Sequence, residues 1–318
     1  MNGHRVLVTG AGGFSGEHAI SYFGQSGWEV IAAVSRRTPR GAAGPGLDSG
    51  IEVIACDWTD RDDALRAIAR AQPDAVVHLA GLNAVGSSWQ DPAAYLMTNG
   101  MGTVHLLEAV RAAGRPCRVL VAGSMLRFRL PKDPAAAPSP LHPYSLSKMV
   151  QVLVSQCWSS LYDMDVIVAE PSNLIGPGPS QGLCALLARY TAQTEAAEAA
   201  GETTPPFRLS SRHERRDFLD VRDAMAAYEV LLRSGLSGSV YSVASGSFVT
   251  LEQLALHFTS LANCKLMFEI GDSSAPSPEP VDLSGIHALG WRPRIPIEQS
   301  LRNALDDARA IVAQRGGR

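Results

Sequence analysis

The 318-residue sequence is poor in several things at once. It has five cysteines (Cys56, Cys117, Cys157, Cys184 and Cys264), scattered and with no Cys-x-x-Cys pair. That argues against a disulfide framework or a zinc site and for a reducing, cytoplasmic setting, with no metal expected. No apolar run approaches the roughly 18 residues a membrane span needs. The N-terminus leads straight into Arg5-Val6-Leu7-Val8, which reads as a strand and not as a signal peptide. A net charge of −3 supplies no basic field for nucleic acid and no acidic tail. Any anion must therefore be met by local groups. Lysine is scarcest of all: of 28 basic residues only Lys132, Lys148 and Lys265 are lysine.

What remains is 46% apolar and 19% charged residues, an ordinary globule with a sizeable core, as one large or two intimate domains. Residues 5–9 read as a buried parallel strand. Gly10-Ala11-Gly12-Gly13-Phe14-Ser15-Gly16 follows at once, then an apolar-periodic helix, then a second strand, Glu29–Val34. A glycine-rich turn between a strand and a helix lets the backbone approach a pyrophosphate, and the helix N-terminus presents free N–H groups to it. The residue after the second strand selects the nucleotide: a carboxylate would hold a ribose 2′-hydroxyl, a base a 2′-phosphate. Here stand Ser35-Arg36-Arg37 with no carboxylate. The expected cofactor is NADP(H), with NAD(H) as the other possibility, and a pair of solvated arginines is the plainer reading.

Further strands are expected at 51–56, 75–80, 118–122, 166–169 and 239–243, with helices at 62–71, 93–113, 250–262 and 297–314. The first ends at Asp57-Trp58, which could lie near an adenine, although a loop-capping Asp is the duller reading. His78, inside an apolar run, reads as a satisfied core histidine. Asn99, polar among apolar neighbours, needs partners. Ser124 closes the strand 118–122, and ligands bind at the carboxyl ends of such strands.

Pro143 then starts a helix that carries Tyr144 and Lys148 one turn apart on one face. An ammonium beside a phenol favours the phenolate, so the phenol's pKa is expected to fall towards working pH. An incidental pair on a solvated helix is the alternative. Beyond Pro171 the pattern changes. Asn173–Gly178 is turn-rich, and Arg212–Phe218 is a dense charge cluster that is either a solvated face or a diphosphate clamp.

Together these residues resemble the extended short-chain dehydrogenase/reductases that act on nucleotide sugars. The carrying motifs are Thr9-Gly10-x-x-Gly13-x-x-Gly16, His78-Leu79-Ala80, Asn99-x-x-Gly102-Thr103, Ser124, Tyr144-x-x-x-Lys148, Asn173-x-x-Gly176-Pro177-Gly178 and Arg216-Asp217-Phe218-x-x-Val221-x-Asp223. Ser88-Trp89, Gly102–Val110, Arg215–Asp223 and Gly290–Pro296 look like the GDP-4-keto-6-deoxy-D-mannose reductases within it. The resemblance implies a doubly wound Rossmann α/β sheet with a smaller, mostly C-terminal α/β domain. Residues 1–171, with a strand returning at 237–247, would bind NADP, and 172–236 with 248–318 would bind the nucleotide sugar.

It also implies roles. Ser124, Tyr144 and Lys148 would be catalytic. The glycine loop (Gly10, Gly12, Gly13, Phe14, Ser15, Gly16), Ser35, Arg36, Arg37, Asp57, Trp58, Leu79, Ala80, Gly81, Asn99, Tyr144 and Lys148 would bind cofactor. Ser124, Asn173 and Arg216 would bind substrate. A homodimer formed by the helices around 93–113 and 146–162 is expected, with no nucleic-acid or membrane partner.

The departures are informative. Family dehydratases carry an acidic pair just after the serine, where this chain has Met125 and Leu126, so elimination lacks its acid and base. An aromatic-Gly ending is replaced by Phe128-Arg129, an Arg expected after the sixth strand is Glu170, and a late Arg-Pro is not evident in 273–279. The expected activity is NADPH-dependent reduction of the C4 ketone of a nucleotide-linked 4-keto-6-deoxyhexose. A nucleotide-sugar epimerase with tightly held NAD and a non-catalytic NADP-binding regulator are the alternatives.

Overall fold

The computed structural model describes residues 4–36, 50–133, 135–273 and 280–316. In chain order the first part gives β1 (Arg5–Thr9), α1 (Phe14–Gln25), β2 (Glu29–Val34), β3 (Glu52–Ala55), α2 (Arg61–Ala71), β4 (Ala75–His78), α3 (Val85–Gln90) and α4 (Pro92–Tyr95). A short π-helical stretch, Leu96–Met101, runs into α5 (Gly102–Ala112). Then come β5 (Arg118–Ala122), α6 (Pro143–Tyr162) and β6 (Val166–Pro171). The remainder gives β7 (Asn173–Ile175), α7 (Leu183–Ala199), β8 (Phe207–Leu209), β9 (Arg215–Asp220), α8 (Val221–Ser234), β10 (Val240–Val243), β11 (Phe248–Thr250), α9 (Leu251–Leu261), β12 (Phe268–Ile270), α10 (Ser284–Ala288) and α11 (Ile297–Gly316).

The chain divides into two compact units: Met1–Pro171 with Met225–Val243 and Ser284–Trp291, and Ser172–Ala224 with Ala244–Leu283 and Arg292–Arg318. The first holds a seven-stranded sheet in the order β10-β6-β5-β4-β1-β2-β3. All its pairings are parallel, the doubly wound Rossmann arrangement the motifs implied. Its central strands are covered on both faces and so read as unbroken apolar runs: Val6, Leu7, Val8, Val76, Val77, Val119, Leu120 and Val121 are fully buried. Helices α2 and α5 close one face with Ala64, Ala67, Ile68, Leu106, Leu107 and Val110.

Residues 225–236, assigned by the sequence reading to the second unit, pack with the first instead. Their helix buries Tyr228 and Leu231, and Glu229 accepts from Tyr22 Oη and Trp28 Nε1 at 2.9 and 3.3 Å. The Arg118 guanidinium also donates to Leu232 O at 2.9 Å. An amphipathic helix follows its apolar face, whatever chain boundary surrounds it.

The second unit has a three-stranded sheet, β11-β9-β7, and a two-stranded one, β12-β8. Its core gathers Leu187, Phe218, Leu254, Phe258, Leu301 and Leu305 from α7, β9, α9 and α11. The second half of the dense charge run, from Arg215 onward, lies in β9. Asp217 is 3% exposed and accepts from Ser245 N, Ser245 Oγ and Gly246 N at 2.8–3.0 Å, fixing a turn. Asp223 accepts from Arg294 N and Ile295 N, both at 2.8 Å. These acids serve the local fold. Among the described residues no helix is long and apolar enough to cross a membrane.

Candidate active site

The glycine loop joins β1 to α1 at the carboxyl edge of the sheet. Gly10 has φ +65°, and a Cβ there would lie 2.8 Å from Ala80 N; a Cβ on Gly16 would lie 2.2 Å from Gly10 O. The turn therefore closes only with glycine at both places. Gly12 and Gly13 complete the turn, and Phe14, Ser15 and Gly16 form the first turn of α1, whose N-cap, Gly13, makes no side-chain cap bond. A helix N-terminus without a side-chain cap, behind a backbone too close for any Cβ, is a cradle that fits a pyrophosphate. Leu79 N and Ala80 N donate to Thr9 Oγ1 at 3.1 and 3.0 Å, so the end of β4 turns across this loop towards Gly81.

At the end of β2, Arg36 forms a two-pronged bond to Asp63 at 2.7 and 2.5 Å while its side chain stays 57% exposed. Asp63 also accepts from Asp57 N at 2.8 Å, so one buried carboxylate fixes Arg36 and the end of β3 together. The Arg36 guanidinium beside it holds that carboxyl well below the usual range. Ser35 adjoins it; Arg37 lies outside the described residues. Asp57 Oδ1 accepts from Thr59 N and Oγ1 at 3.0 and 2.7 Å, the loop-capping reading. The Trp58 ring is 6% exposed inside the hydrophobic core, edge-on to His78, so any part Trp58 plays toward a cofactor falls to its backbone.

A buried polar chain runs beneath. His78 Nδ1 meets Thr9 Oγ1 at 2.8 Å and Nε2 meets Thr103 Oγ1 at 3.2 Å, and burial lowers its pKa to about 3, so it is a neutral core histidine. Asn99 lies on the π-helical stretch, a break of helical regularity of the kind found at functional sites. Its amide donates to Leu82 O and Ser147 Oγ, both at 2.9 Å, and its Oδ1 accepts from Leu82 N at 2.8 Å. Asn99 thus ties the Gly81-Leu82 turn to α6.

Helix α6 begins at Pro143 with His142 as N-cap: His142 Nδ1 accepts from Ser145 N at 3.0 Å, and Ser145 Oγ bonds back to His142 O at 2.7 Å. The helix so started presents Tyr144 and Lys148 on one buried face, 5% and 7% exposed. Ser124, 8% exposed at the end of β5, acts on the Tyr144 phenol by lowering its pKa. The Tyr144 ring is stacked on His142 and meets Tyr95 edge-on. Lys148 Nζ donates to Ala122 O at 2.9 Å and to Gln151 Oε1 at 2.7 Å, and Gln151 Nε2 passes on to Thr103 Oγ1 at 3.0 Å. Two of the three ammonium N–H groups are thereby assigned.

The electrostatics correct the sequence argument. Burial pushes the Tyr144 phenol up to about 12, with Ser124 acting against it, and burial pulls Lys148 down to about 8. The expected fall of the phenol does not occur because burial raises it, while the Lys148 ammonium turns its N–H groups to Ala122 O and Gln151 Oε1. Gln151 and His142 were missed by sequence reasoning. A Gln three residues after Lys148 is on the same helical face, and a residue before a helix-starting Pro is the N-cap position; those were the available signals.

In the second unit, Asn173 Nδ2 donates to Asp217 O at 2.8 Å, and Arg216 is answered by Glu214 at 2.7 Å. The structure thus gathers Ser124, Tyr144, Lys148 and Asn99 around α6, and holds Asn173 and Arg216 on neighbouring strands β7 and β9. A cleft of about 600 Å³ at the opposite, N-terminal edge of the first unit's sheet is lined by Arg111, Arg115 and Arg118. Each of these guanidiniums is taken by a carboxylate, Glu108, Asp74 and Asp165, so the cleft is not an anion site. Among the described residues no cluster of three or more His, Cys, Asp or Glu side chains could hold a metal ion.

Residues 6–244 match the NAD dependent epimerase/dehydratase family. The chain belongs to that family. It is 30% identical to a GDP-6-deoxy-D-mannose reductase of Pseudomonas aeruginosa over 98% of this chain and 99% of that one. It is 25% identical to a UDP-glucose 4-epimerase of Mycolicibacterium smegmatis over 95% of this chain and 97% of that protein. A solved structure of RMD from Pseudomonas aeruginosa complexed with NADPH superposes with a TM-score of 0.79 at 29% identity, over 97% of this chain and 99% of that one. A UDP-glucose 4-epimerase of Thermus thermophilus, in complex with NAD, superposes with a TM-score of 0.80 at 23% identity over 96% of this chain and 99% of its own, a likeness of fold. The chain is thus a member of a nucleotide-sugar-modifying, NAD(P)-dependent enzyme family with the Rossmann-like α/β fold.

Proposed function

We propose that this protein is an NADPH-dependent reductase of the C4 ketone of a nucleotide-linked 4-keto-6-deoxyhexose, with GDP-4-keto-6-deoxy-D-mannose as substrate and GDP-D-rhamnose as product. The observation that carries the reading is the burial of Ser124, Tyr144 and Lys148 at the end of β5 and the start of α6, with the phenol held protonated. A phenol at about 12 keeps its proton until an alkoxide, a much stronger base, appears beside it, which suits reduction. Ser124 holds the ketone oxygen, and Tyr144 Oη hands its proton to that oxygen as charge develops. Lys148 keeps a positive charge one turn away that favours the phenolate left behind. The bound nicotinamide supplies the hydride. The glycine loop cradles its pyrophosphate, and Arg36, aimed by Asp63, meets the 2′-phosphate. Asn173 and Arg216 meet the substrate diphosphate, Arg216 by exchanging Glu214 for it.

Met125 and Leu126 supply no carboxylate for elimination, which sets the 4,6-dehydratase reaction aside. The likeness to a GDP-6-deoxy-D-mannose reductase supports the guanine nucleotide and the deoxysugar. The likeness to UDP-glucose 4-epimerases supports a second reading, reversible oxidation at C4 with retained NAD, for which the same Ser-Tyr-Lys set serves. The test is to offer the protein NADPH with GDP-, dTDP-, UDP- and CDP-linked 4-keto-6-deoxyhexoses and follow the absorbance of the reduced cofactor. Consumption with the GDP sugar supports the reading, and none with any ketosugar refutes it.

The protein works as a homodimer in this reading. Met97, Met101, Leu146, Leu153 and Leu161 are exposed apolar side chains on the π-helical stretch and α6, where a second copy would cover them. Light scattering on a sizing column tests this: a mass of one chain overturns it. Five unpaired cysteines suit the cytoplasm.

A further inference from the structure

Glu170, a departure from the family pattern, is a carboxylate 1% exposed at the end of β6 that no catalytic role uses. Its Oε1 accepts from Arg127 Nε, and its Oε2 meets Arg129 Nη2 at 3.4 Å. The Arg127 side chain is itself only 11% exposed, so the pair is buried, whereas Arg129 reaches it from the rim at 59%. The stem of Glu170 passes over Gly123: a Cβ there would lie 3.3 Å from Glu170 Cγ and 3.2 Å from Val168 Cγ1. The residue before Ser124 therefore makes room for Glu170, and the residue three after it is gripped by Glu170.

The rest of the turn is fixed on the same lines. Gly123 N donates to Ala169 O at 2.8 Å and Met125 N to Pro171 O at 3.1 Å, extending the β5–β6 ladder past Ser124. Arg127 N closes the turn on Ser124 O at 3.0 Å. Leu126 N donates to Ser124 Oγ at 3.1 Å, which leaves the hydroxyl proton free to be donated to another oxygen. On the other side Phe128 N donates to Ser145 O at 3.1 Å, and Arg127 Nη1 touches Met149 Sδ at 3.4 Å, both on the helix of Tyr144.

We propose that the buried Glu170–Arg127 pair is a positioning device for Ser124, bracketing its turn between β6 and α6 so that the hydroxyl addresses Tyr144. A buried ion pair is a poor way to gain stability, since desolvation offsets most of its attraction, but it has direction, which an apolar contact lacks. Burial raises the Glu170 carboxyl and the two guanidiniums oppose this, so the clamp depends on Arg127 staying in place. The proposal rests on the reductase reading for its kinetics and on geometry alone for its structure.

The experiment compares Glu170→Gln and Arg127→Lys with the natural protein, alone and in a Ser124→Ala background. Glu170→Gln keeps shape and loses charge; Arg127→Lys keeps charge and loses the fork. In ketosugar reduction each is expected to lower kcat about tenfold with the NADPH dissociation constant within about twofold, and to cost nothing further once Ser124 is alanine. Amide hydrogen exchange of residues 123–129 is expected to quicken about tenfold while β1–α1 stays protected. Unchanged exchange, or an equal loss of kcat in the Ser124→Ala background, overturns the proposal. If the natural protein reduces no nucleotide ketosugar, the functional reading fails and exchange alone decides: quickened supports the clamp, unchanged refutes it.

Discussion

Lys148→Met isolates the charge on which the site depends. The buried ammonium sits at about 8 instead of 10.5, a difference worth roughly 3 kcal/mol against the folded state wherever the lysine is charged in both states. Methionine relieves that cost but leaves Ala122 O and Gln151 Oε1 without their donor, about 1–3 kcal/mol each, so near pH 7 the two effects nearly cancel. They separate with pH. Between pH 7 and 10 the unfolded lysine keeps its proton while the folded one loses it. The unfolded state then binds more protons, and stability rises with pH. The natural protein should gain about 2.5 kcal/mol over Lys148→Met across that window, read as the difference between their urea-unfolding free energies from tryptophan fluorescence. Other titrating groups are common to both proteins and drop out. A difference flat to within about 0.5 kcal/mol would refute a Lys148 held at depressed pKa.

Tyr144→Phe should lower kcat at least about a hundredfold while NADPH binding stays within a few-fold, measured by cofactor fluorescence; turnover surviving within a few-fold removes the proton-donor role. Activity should be level near neutrality and fall as pH rises through about 8, where Lys148 loses its proton, while Tyr144, at about 12, stays protonated throughout; a profile flat to pH 10 would contradict this. Arg36→Ala should weaken NADPH about tenfold and leave NADH nearly unchanged, read as paired dissociation constants, with equal loss for both removing Arg36 from the 2′-phosphate.

The parallel sheet was legible because its strands are buried on both faces and so announce themselves as apolar runs, and because the glycine loop falls where only a strand-to-helix turn can place it. Tyr144 and Lys148 were legible from helical spacing alone. Their pKa values were not, since desolvation depends on what covers a group, and Tyr95 and Tyr228 come from elsewhere in the sequence. That the Trp58 ring turns inward to the core was not legible either. The short strands β7, β8, β9, β11 and β12 escaped notice: three to six residues with charges among them, as in Arg215–Asp220, carry too few alternations to show a period. The Glu170–Arg127 pair, 43 residues apart, has no local signature at all.

The most direct test of the account follows the hydride itself. The protein is given NADPH bearing deuterium on the transferred position of nicotinamide C4, together with GDP-4-keto-6-deoxy-D-mannose, and the sugar is examined by mass spectrometry and proton NMR. The account predicts one deuterium at sugar C4 for each NADPH consumed, in GDP-D-rhamnose. A product without deuterium, or a changed sugar with no cofactor consumed, would contradict it.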